Sequence, residues 1–391
     1  MLFELGFRPF FILAGTSAIL LVVSWLMYFN GIGGYASYYG VFPWHSHEMI
    51  FGYTMAVISG FLLTAVRNWT GLETVRHSKL AGLAGLWILG RVVPFLHGEI
   101  PNWLIALLDL SFLPAVMLAI GIPLIKSNNK RNLFFIPIFS LFILCNLIFH
   151  LNATGYIDES NALFGVPFLS IAVNFSLGLV MMIITVIGGR VIPFFTKSAL
   201  TSYQARTNPL IESLAIVSVI LFVLVYSFIN SNAILLCAVS SLAVVIHLWR
   251  LSTWYSHSIW KNPLLWILYV SYGWMVIAYG LFAIESFFLL IGKPALHAVT
   301  IGTIGGLTLG MMVRVSLGHT GRHLQVSSYT KWSFVILSSS ALIRVFIPMV
   351  FPEYYQVAIN VSGLLWISVF ALFLLEFVPI LIAPRPDGRA G

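Results

Sequence analysis

The sequence predicts an all-α integral membrane protein of about twelve transmembrane helices, built as three copies of a four-helix unit, with both termini cytoplasmic. Three observations carry that prediction. Hydrophobic residues make up 60% of the chain and charged residues 8%, where a soluble domain carries roughly 25% charge. Apolar runs close to the ~20 residues that cross ~30 Å of hydrocarbon recur from end to end. Related arginine motifs close three of those runs: Arg67-Asn68-Trp69-Thr70-Gly71, Gly189-Arg190-Val191-Ile192-Pro193-Phe194-Phe195-Thr196, and Arg314-Val315-Ser316-Leu317-Gly318-His319-Thr320-Gly321-Arg322. Arg67, Arg190 and Arg314 are spaced by 123 and 124 residues, so each repeat has room for four spans and helices two, six and ten become equivalent.

The elements follow in order. A first span at 9–30 comes after Arg8 and lacks a small-residue cleavage site, which marks a retained helix. The second, 45–67, opens on Trp44-His45-Ser46-His47-Glu48-Met49 and closes at Arg67. Spans 78–97 and 101–125 are joined by a short connection and carry Arg91 and Asp109, each within about two turns of it, which makes Asp109 one candidate partner for Arg91 beside a heme propionate. Spans 132–151 and 163–190 end near His150 and on Arg190, and spans 209–229 and 232–250 complete the second unit. Spans 263–291, 295–318, 331–350 and 354–382 make the third, and 383–391 reads as a disordered tail. The chain is thus one transmembrane domain with repeat units of about 1–130, 131–260 and 261–391. Cys145 and Cys237 both lie in apolar spans, as small packing residues or, on the sharper reading, soft copper ligands.

Lysine and arginine set the orientation. Seventeen of them, including Arg206 and Arg389, fall in alternate connections and at the ends, against Lys293 alone in the opposite connections. Such a bias puts the termini in the cytoplasm. The net charge of +8 is therefore a topology signal, and it gives no support to nucleic-acid binding.

Ten histidines in so apolar a chain are the chemical clue. His45, His47, His97, His150 and His297 fall at the outer ends of helices, whereas His77, His247, His257, His319 and His323 fall on the cytoplasmic side. Imidazoles at membrane depth need partners, and a metal or heme iron is the partner that asks for several together; interfacial hydrogen bonding is the plainer reading. His47 and His297 lie just inside equivalent helices, so a heme held between helices two and ten by that pair is one arrangement. The glycines of helix ten, Gly302, Gly305, Gly306 and Gly310, either pack helices closely or leave room for the macrocycle. Residues two apart on a helix point about 200° away from each other. His45 and His47 therefore serve separate sites if both are helical, and are free of that restriction if His45 precedes the helix. Glu48 orients a ligating imidazole, carries a proton, or complements the helix start. Arg91 has Asp109 and a heme propionate as rival partners, and Glu285 is a second candidate for proton delivery.

At the cytoplasmic end, Arg67, Arg190, Arg314, His319 and Arg322 form a candidate motif cluster for an anionic group or a lipid headgroup, or a set of helix-end anchors. His319 lies 22 residues from His297, or ~33 Å along a helix, so one heme cannot bind both.

These motifs, with Gly6-Phe7-Arg8-Pro9-Phe10-Phe11, the run from Trp44 to Gly52, Gly60 to Ala65 and Leu296-His297, resemble the NnrS family from the first helix to the tenth. The resemblance implies a bacterial inner-membrane protein that contains heme and copper and protects against nitric oxide, by binding it or, as an oxidoreductase, by reducing it with electrons from a membrane or periplasmic donor. His45, His47, Glu48, His150, His297 and His319 match motif positions; His77, His97, His247 and His257 do not. The expected metal set is His45, His47, His150 and His297, with Arg91 at the cofactor and Glu48 catalytic. Architecturally the chain also resembles heme-copper oxidase catalytic subunits, with twelve spans in three arcs. It has no histidine on helix six and no His-His pair on helix seven, so oxygen reduction is not implied. The rival class is a secondary transporter or channel whose histidines bind substrate or protons.

Overall fold

Helices carry this chain through an apolar medium because they satisfy every backbone N–H and C=O internally. The computed structural model describes residues 1–32, 38–200, 203–204 and 208–388; Arg206, Arg389 and the last residues of the expected tail lie outside them. Among the described residues, twelve helices are long and apolar enough to cross a membrane. They are α1 (Phe7–Phe29), α2 (Val41–Thr70), α3 (His77–Leu96), α4 (Asn102–Lys126), α5 (Lys130–Ala153), α6 (Phe168–Ala199), α7 (Pro209–Phe228), α8 (Ala233–Trp254), α9 (Pro263–Glu285), α10 (Pro294–His319), α11 (Ser328–Val350) and α12 (Pro352–Ile382). A two-residue hairpin, β1 (Ala162–Leu163) with β2 (Val166–Pro167), precedes α6.

Each helix packs against the next, and α12 returns to α1, so the bundle closes on itself. The closure is pinned where Arg8 donates to the carbonyls of Leu381 (2.6 Å) and Ala383 (2.8 Å). That end of the bundle, holding both termini, is called the terminal end below; α2 and α10 start at the far end. Burial separates inner from outer helices. In the apolar core of α2, 83% of residues are buried, with 67% in α6 and α10 and 61% in α9, against 33–44% in the other eight. The three helices that carry the arginine motifs are therefore the most enclosed.

Two of them share a rarer feature. A π-helical stretch begins immediately after His47, at Glu48–Thr54, and another immediately after His297, at Ala298–Gly305. In each, a threonine hydroxyl donates to the carbonyl five residues back, Thr54 to Met49 (2.8 Å) and Thr303 to Ala298 (3.3 Å). Wide turns of this kind are rare and concentrate at functional sites. At the other end of the same helices the motif threonines match as well. Thr70, Thr196 and Thr320 each donate to the carbonyl four residues earlier, at 2.7, 2.8 and 2.6 Å.

The structure differs from the expected boundaries in three places. Helix α6 continues through Arg190 and Pro193 to Ala199, so part of the expected 191–208 connection is helical. Helix α9 ends at Glu285 and not near 291, and Glu285 accepts from the backbone N–H of Ala295 (3.0 Å), capping α10. That bond holds the carboxylate expected as a proton carrier at a helix start. Helix α2 begins at Val41, which makes His45 helical. The tail is tied back at its start, where Arg385 donates to the carbonyl of His319 (3.0 Å) and pairs with Asp387 (2.6 Å).

The glycine face of α10 is closed by side chains. A Cβ on Gly302 would strike Trp274, one on Gly305 Trp366, and one on Gly306 Ser271. Close helix packing is thus what these glycines do here, and a macrocycle on this face would displace two tryptophans.

Candidate metal centre

The far halves of α2 to α5 bury an unusual concentration of polar groups. His47, Glu48, Asp109, Asn146 and His150 are each at most 2% exposed. Their placement follows from helix geometry. Asn146 and His150 stand four apart on α5 and so share a face; Glu48 follows His47 where the π turn begins. Arg91 reaches from α3 and Asp109 from α4, the antiparallel neighbours whose pairing was one candidate. They do pair: Arg91 donates to Asp109 Oδ1, and also to Glu48 Oε1 (2.8 Å). Two glycines make the space. A Cβ on Gly90 would meet the Asp109 carboxylate, and one on Gly52 would lie 3.2 Å from both Arg91 and Glu48.

Glu48 Oε1 lies 3.0 Å from His47 Nδ1. A carboxylate there takes the Nδ1 proton and presents Nε2 inward, the orienting arrangement seen around metal-bound histidines. His47 Nε2 then faces oxygen on every side: Asn146 Oδ1 at 2.8 Å, Asp109 Oδ2 at 3.3 Å and the Tyr39 hydroxyl at 3.2 Å. His150 Nε2 faces the same Asp109 Oδ2 at 3.0 Å and the same Tyr39 oxygen at 3.3 Å. Asn146 cannot turn its amide to help His47, because its Nδ2 donates to Asp109 Oδ2 (2.9 Å). Two imidazole nitrogens, a carboxylate oxygen, an amide oxygen and a phenol oxygen thus converge on one point, which a proton on His47 or a bound cation can occupy.

One donor atom from each of His47, Asp109 and His150 lies within 4.8 Å of the others. Ligands about 2.0 Å from a tetrahedral metal stand about 3.3 Å from one another, and the two His–Asp distances of 3.3 and 3.0 Å are close to that edge. The donor set of imidazole and carboxylate suits zinc, copper or iron. Tyr38 and Tyr39 close the far side from the connection before α2. The Tyr38 hydroxyl stands 3.3 Å from His150 Nδ1. Burial first, then the Asp109 carboxylate, push the Tyr38 hydroxyl up to about 12 and raise Tyr39 well above a free phenol.

The other sequence-predicted residues sit elsewhere. His45, being helical, points away from His47 and stacks on Trp25 of α1 with ring centroids 4.2 Å apart. His297 Nδ1 lies 3.0 Å from the Lys293 carbonyl and its Nε2 3.1 Å from Arg344 Nη2. His45 and His297 lie within electrostatic reach of each other. So the described contacts join His47 to His150 and bring His45 toward His297. His97 is exposed beside Asn102.

At the terminal end the three motif arginines take separate partners. Arg67 lies 3.5 Å from Glu73, Arg190 donates to Asn132 Oδ1 (2.7 Å), and Arg314 stands 3.7 Å over the Phe195 ring. Arg322 donates to the Thr320 carbonyl (3.4 Å), and the His319 ring packs 5.8 Å from that of Phe7. Each arginine thus has its own contacts, and His319 lies within electrostatic reach of Arg67 and Arg385.

A family model for the NnrS protein matches residues 1–385. The chain belongs to the NnrS family. Membership makes it a membrane protein associated with the nitric oxide response, and the match spans essentially the whole bundle. No curated protein matched the sequence.

Sequence reasoning reached His47, Glu48, His150, Arg91 and Asp109 in this NnrS-family chain, but not Asn146, Tyr38 or Tyr39. The four-residue spacing of Asn146 and His150 was a usable signal. The tyrosines gave none, since a connection's path is set by what it packs on.

Proposed function

We propose that this chain binds a copper ion at His47, His150 and Asp109, near the outer face of a bacterial inner membrane, and uses it to bind nitric oxide in protecting the cell. One observation carries the reading: ligand atoms of the right kinds converge within 4.8 Å inside a buried cluster. Family membership supports the nitric oxide context. The bias of lysine and arginine toward alternate connections supports the far end as the outer one.

When bound, copper would supply Lewis-acid chemistry toward the nitrogen of nitric oxide, at a position beyond the protein's own ligands. The protein's own groups do the rest. Glu48 and Tyr38, at the Nδ1 atoms of His47 and His150, hold each imidazole with Nε2 turned inward. Arg91 compensates the carboxylates of Glu48 and Asp109, which otherwise stand as two like charges out of water. Phe51 and Phe149, with ring centroids 5.0 and 5.3 Å from that of His47, keep water from the imidazole. An uncharged gas reaches such a site through the bilayer. The resemblance also implies heme; here the His297 ring nitrogens lie beside the Lys293 carbonyl and Arg344, and the α10 glycines pack on Trp274, Trp366 and Ser271.

The rival reading, a secondary transporter or channel, draws on the same Glu48, Arg91 and Asp109, because charges inside a membrane mark ion paths. It expects solute flux without a resident metal. Expression of the full chain in a nitric oxide-sensitive bacterium separates them. Protection of growth should appear with the chain and vanish with His47→Ala or His150→Ala, while His257→Ala keeps it. Intact protection from variants shown to lack copper would overturn the proposal.

A further inference from the structure

Four-coordinate sites need a fourth donor, and one oxygen in the cluster touches both imidazole nitrogens. The Tyr39 hydroxyl is 3.2 Å from His47 Nε2 and 3.3 Å from His150 Nε2. Together with the His–Asp distances of 3.3 and 3.0 Å, four of the edges among these donors lie near the ~3.3 Å of a tetrahedron around a ~2.0 Å ion. Asn146 Oδ1 is the competitor, and its hydrogen-bond contact within the set is to His47 alone, at 2.8 Å.

We propose that Tyr39 is the fourth ligand of the ion at His47, His150 and Asp109, completing a set of two imidazoles, one carboxylate and one phenolate for a divalent cation. The inference rests on the metal reading above and extends it to a residue outside the histidine motifs. Charge favours the phenolate over the amide. Arg91, Glu48 and Asp109 sum to −1 with neutral imidazoles; a divalent ion brings the buried cluster to +1, and a phenolate brings it to zero. An uncompensated charge at this depth costs several kcal/mol, of the order known for buried ions, whereas the neutral set does not carry it. On binding, the Tyr39 O–H bond breaks, the metal–oxygen bond forms and the proton leaves to water. No electron moves.

The Tyr39 ring is already in place for this. It lies 4.2 Å from the His47 ring at 26°, a stacked pair, and is 4% exposed. Tyr38, one residue earlier, faces His150 Nδ1 on the side away from the ion, which makes it a matched control.

The test uses the full-length protein in detergent and cupric ion alone. Wild type should bind copper one to one and show a visible phenolate-to-copper charge-transfer band, with phenolate vibrations enhanced by excitation in that band. Tyr39→Phe, which keeps the stacked ring, should lose the band and weaken copper binding by more than about 100-fold, beyond the ~10–100-fold of a change behind the ligands. Tyr38→Phe, which removes only a group behind His150, should keep the band while weakening copper binding no more than about 10–100-fold. One copper per chain in wild type with no such band, or a band that survives Tyr39→Phe, overturns the Tyr39 assignment and leaves the three-residue site standing. No copper in wild type overturns both. The wild-type vibrational spectrum decides the question even if the Tyr39 variant does not fold.

Discussion

Two clusters of similar ingredients lie in this bundle, and they differ in what converges at their centres. The far-end cluster, on α2 to α5, has one guanidinium, two carboxylates and two imidazoles, with Asp109 Oδ2 shared among three neighbours. The second cluster, in the second repeat, has one guanidinium, one carboxylate and one imidazole. Arg250 pairs with Glu212 through two nitrogens and donates to the Thr185 carbonyl and the Tyr272 oxygen, both at 2.9 Å. Tyr272 in turn lies 2.7 Å from His247 Nδ1, and His247 Nε2 lies 3.3 Å from Ser218 Oγ. There the Arg250 guanidinium has an acceptor at each of its three nitrogens, and both His247 ring nitrogens have a hydroxyl partner. A closed network braces helices, whereas a network with converging lone pairs invites a cation. Burial of ionisable groups alone therefore does not mark a site in this molecule; the convergence of ligand atoms does.

The largest effect that sharpens this contrast is on stability. Arg91→Leu leaves Glu48 and Asp109 buried without a counter-charge and should cost about 3–5 kcal/mol. Arg250→Leu should cost less, because the Glu212 side chain is 30% exposed and water can take its charge. Thermal unfolding of the purified variants checks the order, and a greater loss in Arg250→Leu would undo the comparison.

Next comes metal retention. His47→Ala and Asp109→Ala should each leave the protein in the membrane without stoichiometric copper. His247→Ala should retain one copper per chain, since its imidazole has no free nitrogen to offer. Elemental analysis of the three variants reads this directly.

The glycines give a finer test. A Cβ on Gly90 meets Asp109, and one on Gly189, the first residue of the second arginine motif, meets the Arg250 guanidinium and Glu212. Gly90→Ala should weaken copper binding about 10–100-fold by moving a ligand. Gly189→Ala should lower stability by about 1–3 kcal/mol through overpacking and leave copper binding unchanged. The smallest effect expected is that of His297→Ala, which leaves copper occupancy at the His47 centre as it was, because its ring partners are Lys293 and Arg344.

The spans were legible because apolar length is local, and helices α2, α6 and α10 were legible as a set because their arginine motifs repeat. The Arg91–Asp109 pair could be read from a short connection between antiparallel helices. Glu48 was legible as an orienting acceptor from its place beside His47. What the sequence did not reveal is the pairing of histidines. His47 and His297 have matching positions, each just ahead of a π turn, yet the contacts of each are set by the faces of α5 and α11, and no spacing within α2 or α10 encodes those. Arg250 read as a topology charge for the same reason: its partners come from α6, α7 and α9, far away in the chain.

The central claim is that His150, on α5, and His47, on α2, share one metal ion. Copper content of purified His150→Ala, loaded and washed beside wild type, tests it most directly. The account predicts one copper per chain in wild type and none in the variant; a full copper in His150→Ala would contradict it.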